Sequence, residues 1–257
     1  MIKDRNIEKD EVSFNKIKTS SFFKYSFNKF QEDVVAVAPA GAGAATGTTG
    51  DTNLWVSGGD IYKVHVKGTQ TLLGPTHSAS GLDVSLDQTD NDGVEIAFGG
   101  ITALGKHAFT VDTDEDFFAR LKFSIADVSG TDDCAFGFRK AEAFQAAIDN
   151  YDEMAALNVI SGNITRETIL NNNATVAVDT GLNWADGETH TLEVRIVKGG
   201  KARFYVDGVD YTADAGAAFT FDSGEVVVPF FYFLHASDVA GAVNLKEFEC
   251  GYLSDKR

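Results

Sequence analysis

Residues 189–210 read THTLEVRIVKGGKARFYVDGVD, and this stretch decides the fold. Leu192, Val194 and Ile196 alternate with Glu193, Arg195 and Val197, the period-two pattern of a half-buried strand. Ala202, Phe204 and Val206 alternate likewise with Arg203, Tyr205 and Asp207. The register follows from which faces must agree. A two-residue loop Gly199-Gly200 would set Ile196 against Arg203 and mix apolar with polar faces. A three-residue loop Lys198-Gly199-Gly200 sets Ile196 opposite Ala202, Val194 opposite Phe204 and Leu192 opposite Val206. All six apolar side chains then share one face. The three-residue loop is therefore predicted, with a glycine at positive φ forming a bulge. Asp207-Gly208 predicts a second tight turn leading to Val209 and Tyr211.

Outward from this hairpin, short strands continue in both directions. Toward the N-terminus they are predicted over residues 54–56, 61–66, 81–86, 94–98, 107–111, 117–126, 134–138, 155–160, 164–170 and 175–178. In 117–126, Phe117, Ala119, Leu121, Phe123 and Ile125 face one way, and Phe118, Arg120, Lys122 and Ser124 the other. Residues 225–234 are almost wholly apolar, which suits a strand buried on both faces. Residues 243–252 close the chain, with Val243, Leu245 and Phe248 directed inward. One helix is expected, at Arg139–Asn150 (RKAEAFQAAIDN), on its alanines and the i, i+4 pair Phe144 and Ile148. Strands spaced roughly 8–12 residues apart, with scarcely any helix, predict an all-β, two-sheet antiparallel jelly-roll sandwich.

Composition bounds the partners. The 257 residues carry 22 Lys+Arg against 38 Asp+Glu, a formal charge of −16. Such a surface repels phosphate backbones and excludes nucleic acid as a partner. No stretch approaches the ~18 apolar residues of a membrane span, so no membrane insertion is expected. The start MIKDRNIEKDE lacks the apolar core of a signal peptide, so folding in a reducing cytoplasm is expected, or exit from it by a route that needs no cleaved signal. Cys134 and Cys250 are too far apart in sequence to form a disulfide framework. They read as small buried hydrophobes that bridge only if their strands are neighbours.

Residues 1–33 differ from the rest, at net +1 against −17 for the remainder. Between Ser13 and Phe30 stand four lysines and no acid, interleaved with Phe14, Phe22, Phe23, Tyr25, Phe27 and Phe30. Those six aromatics mark an arm that covers a sheet edge of its own domain or anchors the chain in an assembly. Gly- and Ala-rich sequence follows through Gly50. The domain organisation is read as an arm and linker over 1–50 and a β-sandwich over 51–257.

The residues Trp184-Ala-Asp-Gly-Glu-Thr-His190-Thr-Leu-Glu-Val-Arg-Ile, followed by Arg203-Phe-Tyr-Val-Asp207-Gly208, resemble the concanavalin A-like (laminin G-like) jelly-roll superfamily. The likeness covers roughly residues 81–252. Its motif builds a hairpin and core and is silent on function. The longer segment AFGFRKAEAFQAAIDNYDEMAALNVISG is similar to structural proteins of tailed bacteriophages. That resemblance implies a virion component, as capsid decoration, head fibre or tail-associated domain. It would be a homo-oligomer among capsid or other virion proteins. The alternative is a lectin-like module binding host surface glycans.

No catalytic signature is present, and the chain is read as a non-enzyme without cofactor or metal. Glycosidases of this fold carry carboxylates two apart on a strand, but Asp112-Thr-Asp114-Glu-Asp116 precedes a strand and reads as a solvated turn. This loop and residues 87–93 (DQTDNDG) offer hard oxygen ligands without an EF-hand pattern. The five histidines have no zinc spacing, and His190 reads as structural. Trp55, Trp184, Tyr211 and Asn171–Asn173 are of the types that line sugar sites, and read equally as core and turn.

Overall fold

A computed structural model of the chain describes residues 25–30, 35–37, 47–48, 52–57, 60–70, 76–85, 89–98, 107–212, 219–236 and 242–255. In chain order the strands begin with β1 Ser26–Asn28, β2 Val35–Val37, β3 Gly47–Thr48, β4 Thr52–Ser57, β5 Asp60–Lys67, β6 Thr69–Gln70 and β7 Thr76–Ser78. There follow β8 Gly81–Asp83, β9 Gly93–Phe98, β10 Phe109–Thr110, β11 Phe117–Ile125, β12 Thr131–Lys140, β13 Met154–Ile160 and β14 Asn163–Ile169. The last six are β15 Val176–Asn183, β16 Thr189–Val197, β17 Lys201–Val206, β18 Val209–Asp210, β19 Val226–His235 and β20 Val243–Tyr252. Among the described residues all ladders are antiparallel. The smaller sheet runs β18-β17-β16-β11-β20-β8-β7, with β1 also on β20; the larger runs β15-β14-β13-β12-β19-β9-β5-β4-β2, with β10 on β19. The chain is an all-β two-sheet sandwich, as its alternation predicts.

The hairpin adopts the predicted register: Leu192 faces Val206, Val194 faces Phe204 and Ile196 faces Ala202. All six are buried between the sheets. Gly199 and Gly200 both take positive φ, and so do Asp207 and Gly208, the pair of signs a type I′ turn requires. β20 pairs with Phe123 through Leu245 and with Lys122 through Glu247, so Lys246 is an extra residue. This bulge switches parity, which is why Val243 and Leu245, and then Phe248 and Cys250, all face inward.

β19 is buried on both faces, as predicted. Val227, Phe231 and Phe233 join the inter-sheet core, while Phe230, Tyr232 and Leu234 join a second cluster on the outer face of the large sheet. Pro229 sits where the neighbour of β19 changes from β10, ending at Val227, to β9, beginning at Phe230, so its missing N–H leaves no gap in a ladder. Cys134 and Cys250 are buried thiols on different sheets and do not bridge.

The expected helix at 139–150 is a correction. The strand runs on to Lys140, and only Ile148–Asn150 turn, as a single 3-10 element. The segment instead crosses the outer face of the large sheet as an extended strap. At one side Phe144 stacks on His65 of β5, with ring centroids 4.9 Å apart. At the other, the Thr175 hydroxyl ahead of β15 donates to Asp149 at 2.5 Å. Six inter-strand gaps separate β5 from β15, about 29 Å, whereas twelve helical residues span about 18 Å. Burying Phe144, Ile148 and Tyr151 across that width outweighs alanine's helix preference, worth under about 1 kcal/mol per residue.

Of the predicted arm, Phe14, Phe22 and Phe23 lie outside the described residues. Tyr25 donates to Glu249 at 2.8 Å, Phe27 is 41% exposed, and Phe30 is 2% exposed in the core. Between them, β1 pairs with the last strand through Ser26–Cys250 and Asn28–Phe248.

Candidate functional site

The two outer faces differ in kind. On the small sheet the charges satisfy one another: Arg120 pairs with Glu249, Arg195 pairs with Glu193 and lies 3.8 Å from the Tyr205 ring centroid, and Arg203 reaches Asp210 at 3.7 Å. On the large sheet, residues 133, 135, 137 and 139 of β12 point outward, as do 154, 156 and 158 of β13 and 165, 167 and 169 of β14. Cys134, Phe136, Ala155, Leu157 and Ile164 fill the core behind them. The strap roofs one part of this face. The part it leaves is polar.

Three adjacent strands build that polar part. Asn158 of β13 donates through Nδ2 to Asp133 on β12 at 2.7 Å and to Glu167 on β14 at 3.0 Å. Two such bonds to one amide nitrogen hold the carboxylate oxygens within about 6 Å of each other. The β12–β13 pairing begins at Ala135, and the Cys134 N–H beyond it donates to Asn158 Oδ1 at 2.9 Å. Every polar atom of the buried Asn158 side chain is thus engaged, and its rotamer is fixed. Thr165, directly across from Asn158, donates to the second oxygen of Glu167 at 3.0 Å. Burial raises both carboxyls above their ordinary range, and neighbouring acids, Asp149 of the strap among them, push the same way; the Asn158 amide opposes this at both. Asp133 and Thr165 are half-buried, and Asp132 and Asp179 stand exposed at the rim. The Tyr232 hydroxyl, donated to Ala146 O at 3.0 Å, ties the strap to the same face.

The strap is anchored by a buried ion pair. Arg139 and Glu95 are each 0% exposed, with Nη2 to Oε1 at 2.7 Å and Nε to Oε2 at 3.2 Å. Tyr151 donates to the same carboxylate, and its ring lies 4.6 Å from the guanidinium. Burial pushes His65 down to about 4, helped by Lys63 and Arg139, so it is neutral under Phe144 at pH 7.

The described groups singled out in the sequence make the following contacts. Asp112 accepts from Gly199 N at 2.7 Å, and Asp114 accepts from Thr110 N and the Tyr252 hydroxyl, each at 2.7 Å. With Glu115, Asp116 and Lys198 these residues rim a cavity of about 370 Å³ at one end of the sandwich. Asp92 accepts from Thr69 N through both oxygens. Among the described residues no three His, Cys, Asp or Glu side chains are grouped to hold a metal. His190 lies between Asp207 at 2.6 Å and Glu188 at 3.1 Å. Burial opposes its charge, but the two carboxylates outweigh it and its pKa is raised. Trp184 packs on Phe123 in the core, Tyr211 leans on the core, and Asn171 and Asn172 form a turn at positive φ. The side chain of Trp55 lies outside the described residues. Asp133, Asn158 and Glu167 were not singled out in the sequence, because 25 and then nine residues separate them and no local spacing joins them.

No protein-family model matches the chain, and no curated protein sequence matches it. Solved structures do. The carbohydrate recognition domain of Emp46p in its potassium-bound form superposes with a TM-score of 0.50 at 8% identity, over 74% of this chain and 88% of that one. That of Emp47p gives 0.49 at 12% identity, over 89% and 97%. A protein of unknown function from Shewanella oneidensis MR-1 gives 0.47 at 11%, over 97% and 96%. At such identities the Emp46p likeness speaks to the jelly-roll fold alone.

Proposed function

We propose that this chain is a carbohydrate-binding jelly roll without catalytic activity, and that it binds glycan hydroxyls on the open part of the large sheet's outer face. The observation that carries the reading is the Asp133–Asn158–Glu167 row. Saccharides present rings of hydroxyl donors, and they are oriented by a few rigid acceptors. The doubly tied Asn158 fixes both carboxylates before any ligand arrives, so little ordering entropy remains to be lost on binding. The partly exposed Asp133 and Thr165, with Asp132 and Asp179 exposed nearby, supply further acceptors. The Emp46p domain, which shares the fold, is described as a carbohydrate recognition domain.

The virion reading rests on the resemblance of residues 135–162 to phage structural proteins, with the basic aromatic arm before Phe30 as its anchor. Nothing on the described residues favours it over glycan binding. The test is a glycan array on the full chain, followed by titration of the best hit. Asp133→Ala is expected to weaken binding by about tenfold or more, since hydrogen bonds to charged groups carry about 1.5–3 kcal/mol. Asp116→Ala, at the far acidic cavity, should leave binding unchanged. An array without hits, or equal affinity in Asp133→Ala, would overturn the assignment.

A further inference from the structure

The strap leaves the sheet at Lys140 and rejoins it at Glu153, and its stem is a concentration of acid. Lys140 N donates to Glu153 O at 2.9 Å and closes the stem. Lys140 Nζ is shared between Asp152 at 2.7 Å and Glu225 at 3.2 Å. Glu142 of the strap takes the Asp152 N–H at 2.8 Å. Against this stem packs the turn preceding β19, which brings Asp222 and Glu225. In the middle, Glu153 is 0% exposed. Among the described residues its Oε1 has no hydrogen-bond partner, and its Oε2 receives a long contact from Asp222 N at 3.5 Å. Lys140 thus stands among five carboxylates, of which Glu153 alone is buried, and its two contacts go to Asp152 and Glu225, leaving Glu153 without one.

We propose that Glu153 is a protonation latch for the strap: neutral, it seats the stem beneath the Asp222–Glu225 turn, and ionised, it loosens residues 141–152 from the outer face. The chemistry requires no cofactor. A neutral carboxyl can donate its own proton to the acceptor-rich surroundings, whereas a carboxylate there is desolvated, short of donors and beside two like charges. The groups facing it are Lys140 from β12, Glu142 and Asp152 from the strap, and Asp222 and Glu225 from the turn. Only Lys140 favours ionisation by its charge.

Burial pushes the Glu153 carboxyl up to about 7, with Asp222 and Glu225 adding to it and the Asp222 N–H and Lys140 opposing. A folded pKa above the unfolded one means the proton stabilises the folded stem. That stabilisation is full below the ordinary glutamate range and is lost as pH rises to about 7. His65, held near 4 under Phe144, acts in the opposite sense, destabilising as pH falls below its ordinary range. The two effects therefore separate in pH.

Hydrogen exchange of strap peptides 141–152, corrected for intrinsic rates, tests this on the full chain between pH 5.5 and 8.5. In the wild type, protection is expected to fall about tenfold between pH 6 and pH 8. In Glu153→Gln it should stay high and flat. Should that variant fold poorly, Asp222→Asn removes one repelling charge and moves the wild-type midpoint to lower pH. A flat wild-type profile, the same fall in Glu153→Gln, or an unmoved midpoint in Asp222→Asn would each overturn the latch.

Discussion

At the scale of single residues, the decisive pair is Glu95 with Arg139. Neither exposes any surface, and the pair is held by two hydrogen bonds and closed by Tyr151. A buried pair of this kind costs desolvation at both ends, so breaking it is worse than never having it. Arg139→Met alone should lower unfolding free energy by about 3–5 kcal/mol, because Glu95 would be left buried without its cationic partner. Glu95→Leu with Arg139→Met should recover most of that loss. Urea melts of the two singles and the double decide it, and additive losses would show that the pair does not act as a unit. The pair was not legible in the sequence. Glu95 stands in Val94-Glu95-Ile96 as the polar partner of an alternation, which implies solvent, and Arg139 opens a run whose alanines imply a helix. What buries both is a covering segment, and alternation reports which face a side chain occupies without reporting what lies over that face. Asp133, Asn158 and Glu167 were hidden for a related reason, since they meet only once β12, β13 and β14 are laid side by side.

At the scale of elements, the β16–β17 hairpin was legible down to its register because face agreement admits one loop length. Its two glycine sites divide into distinct costs. Gly208 takes φ +80 with open space around the missing Cβ, so Gly208→Ala carries only the left-handed penalty, about 1–2 kcal/mol. Gly200 takes φ +68, and an added Cβ would run into the carbonyl of Phe221. That carbonyl belongs to the chain crossing beneath the loop, where Phe221 N donates to Gly200 O at 2.9 Å. Gly200→Ala should therefore cost clearly more than Gly208→Ala in thermal or urea unfolding. Equal costs would mean that the Phe221 segment yields freely. The strap shows the opposite limit of legibility. Its alanines and its Phe144–Ile148 spacing satisfy a helix locally, but the surface it must cover is wider than such a helix is long.

At the scale of the whole molecule, the question is whether two large sheets behave as one body. The cysteines report on it from either side. Cys134 lies on the inner face of β12, opposite Phe233 of the same sheet, and Cys250 on the inner face of β20, opposite Ala119. Both are fully buried thiols. Burial also raises the Cys134 thiol well above its ordinary range, so it is inert while the sandwich is closed. The core that separates water from them is continuous, with Phe98 of the large sheet stacked on Phe248 of the small one at 3.9 Å and Phe123 meeting Phe231 edge-on at 5.6 Å. Rings that interlock across the interface cannot be exposed on one sheet alone, which predicts a single cooperative opening. A thiol reagent in excess, followed residue by residue by mass spectrometry, should label the two cysteines at one rate, equal to the rate of global unfolding. Rising urea should accelerate both in parallel. Labelling of Cys250 ahead of Cys134 would mean that the small sheet peels from the large one as a separate unit, and the sandwich would then be two layers of unequal stability.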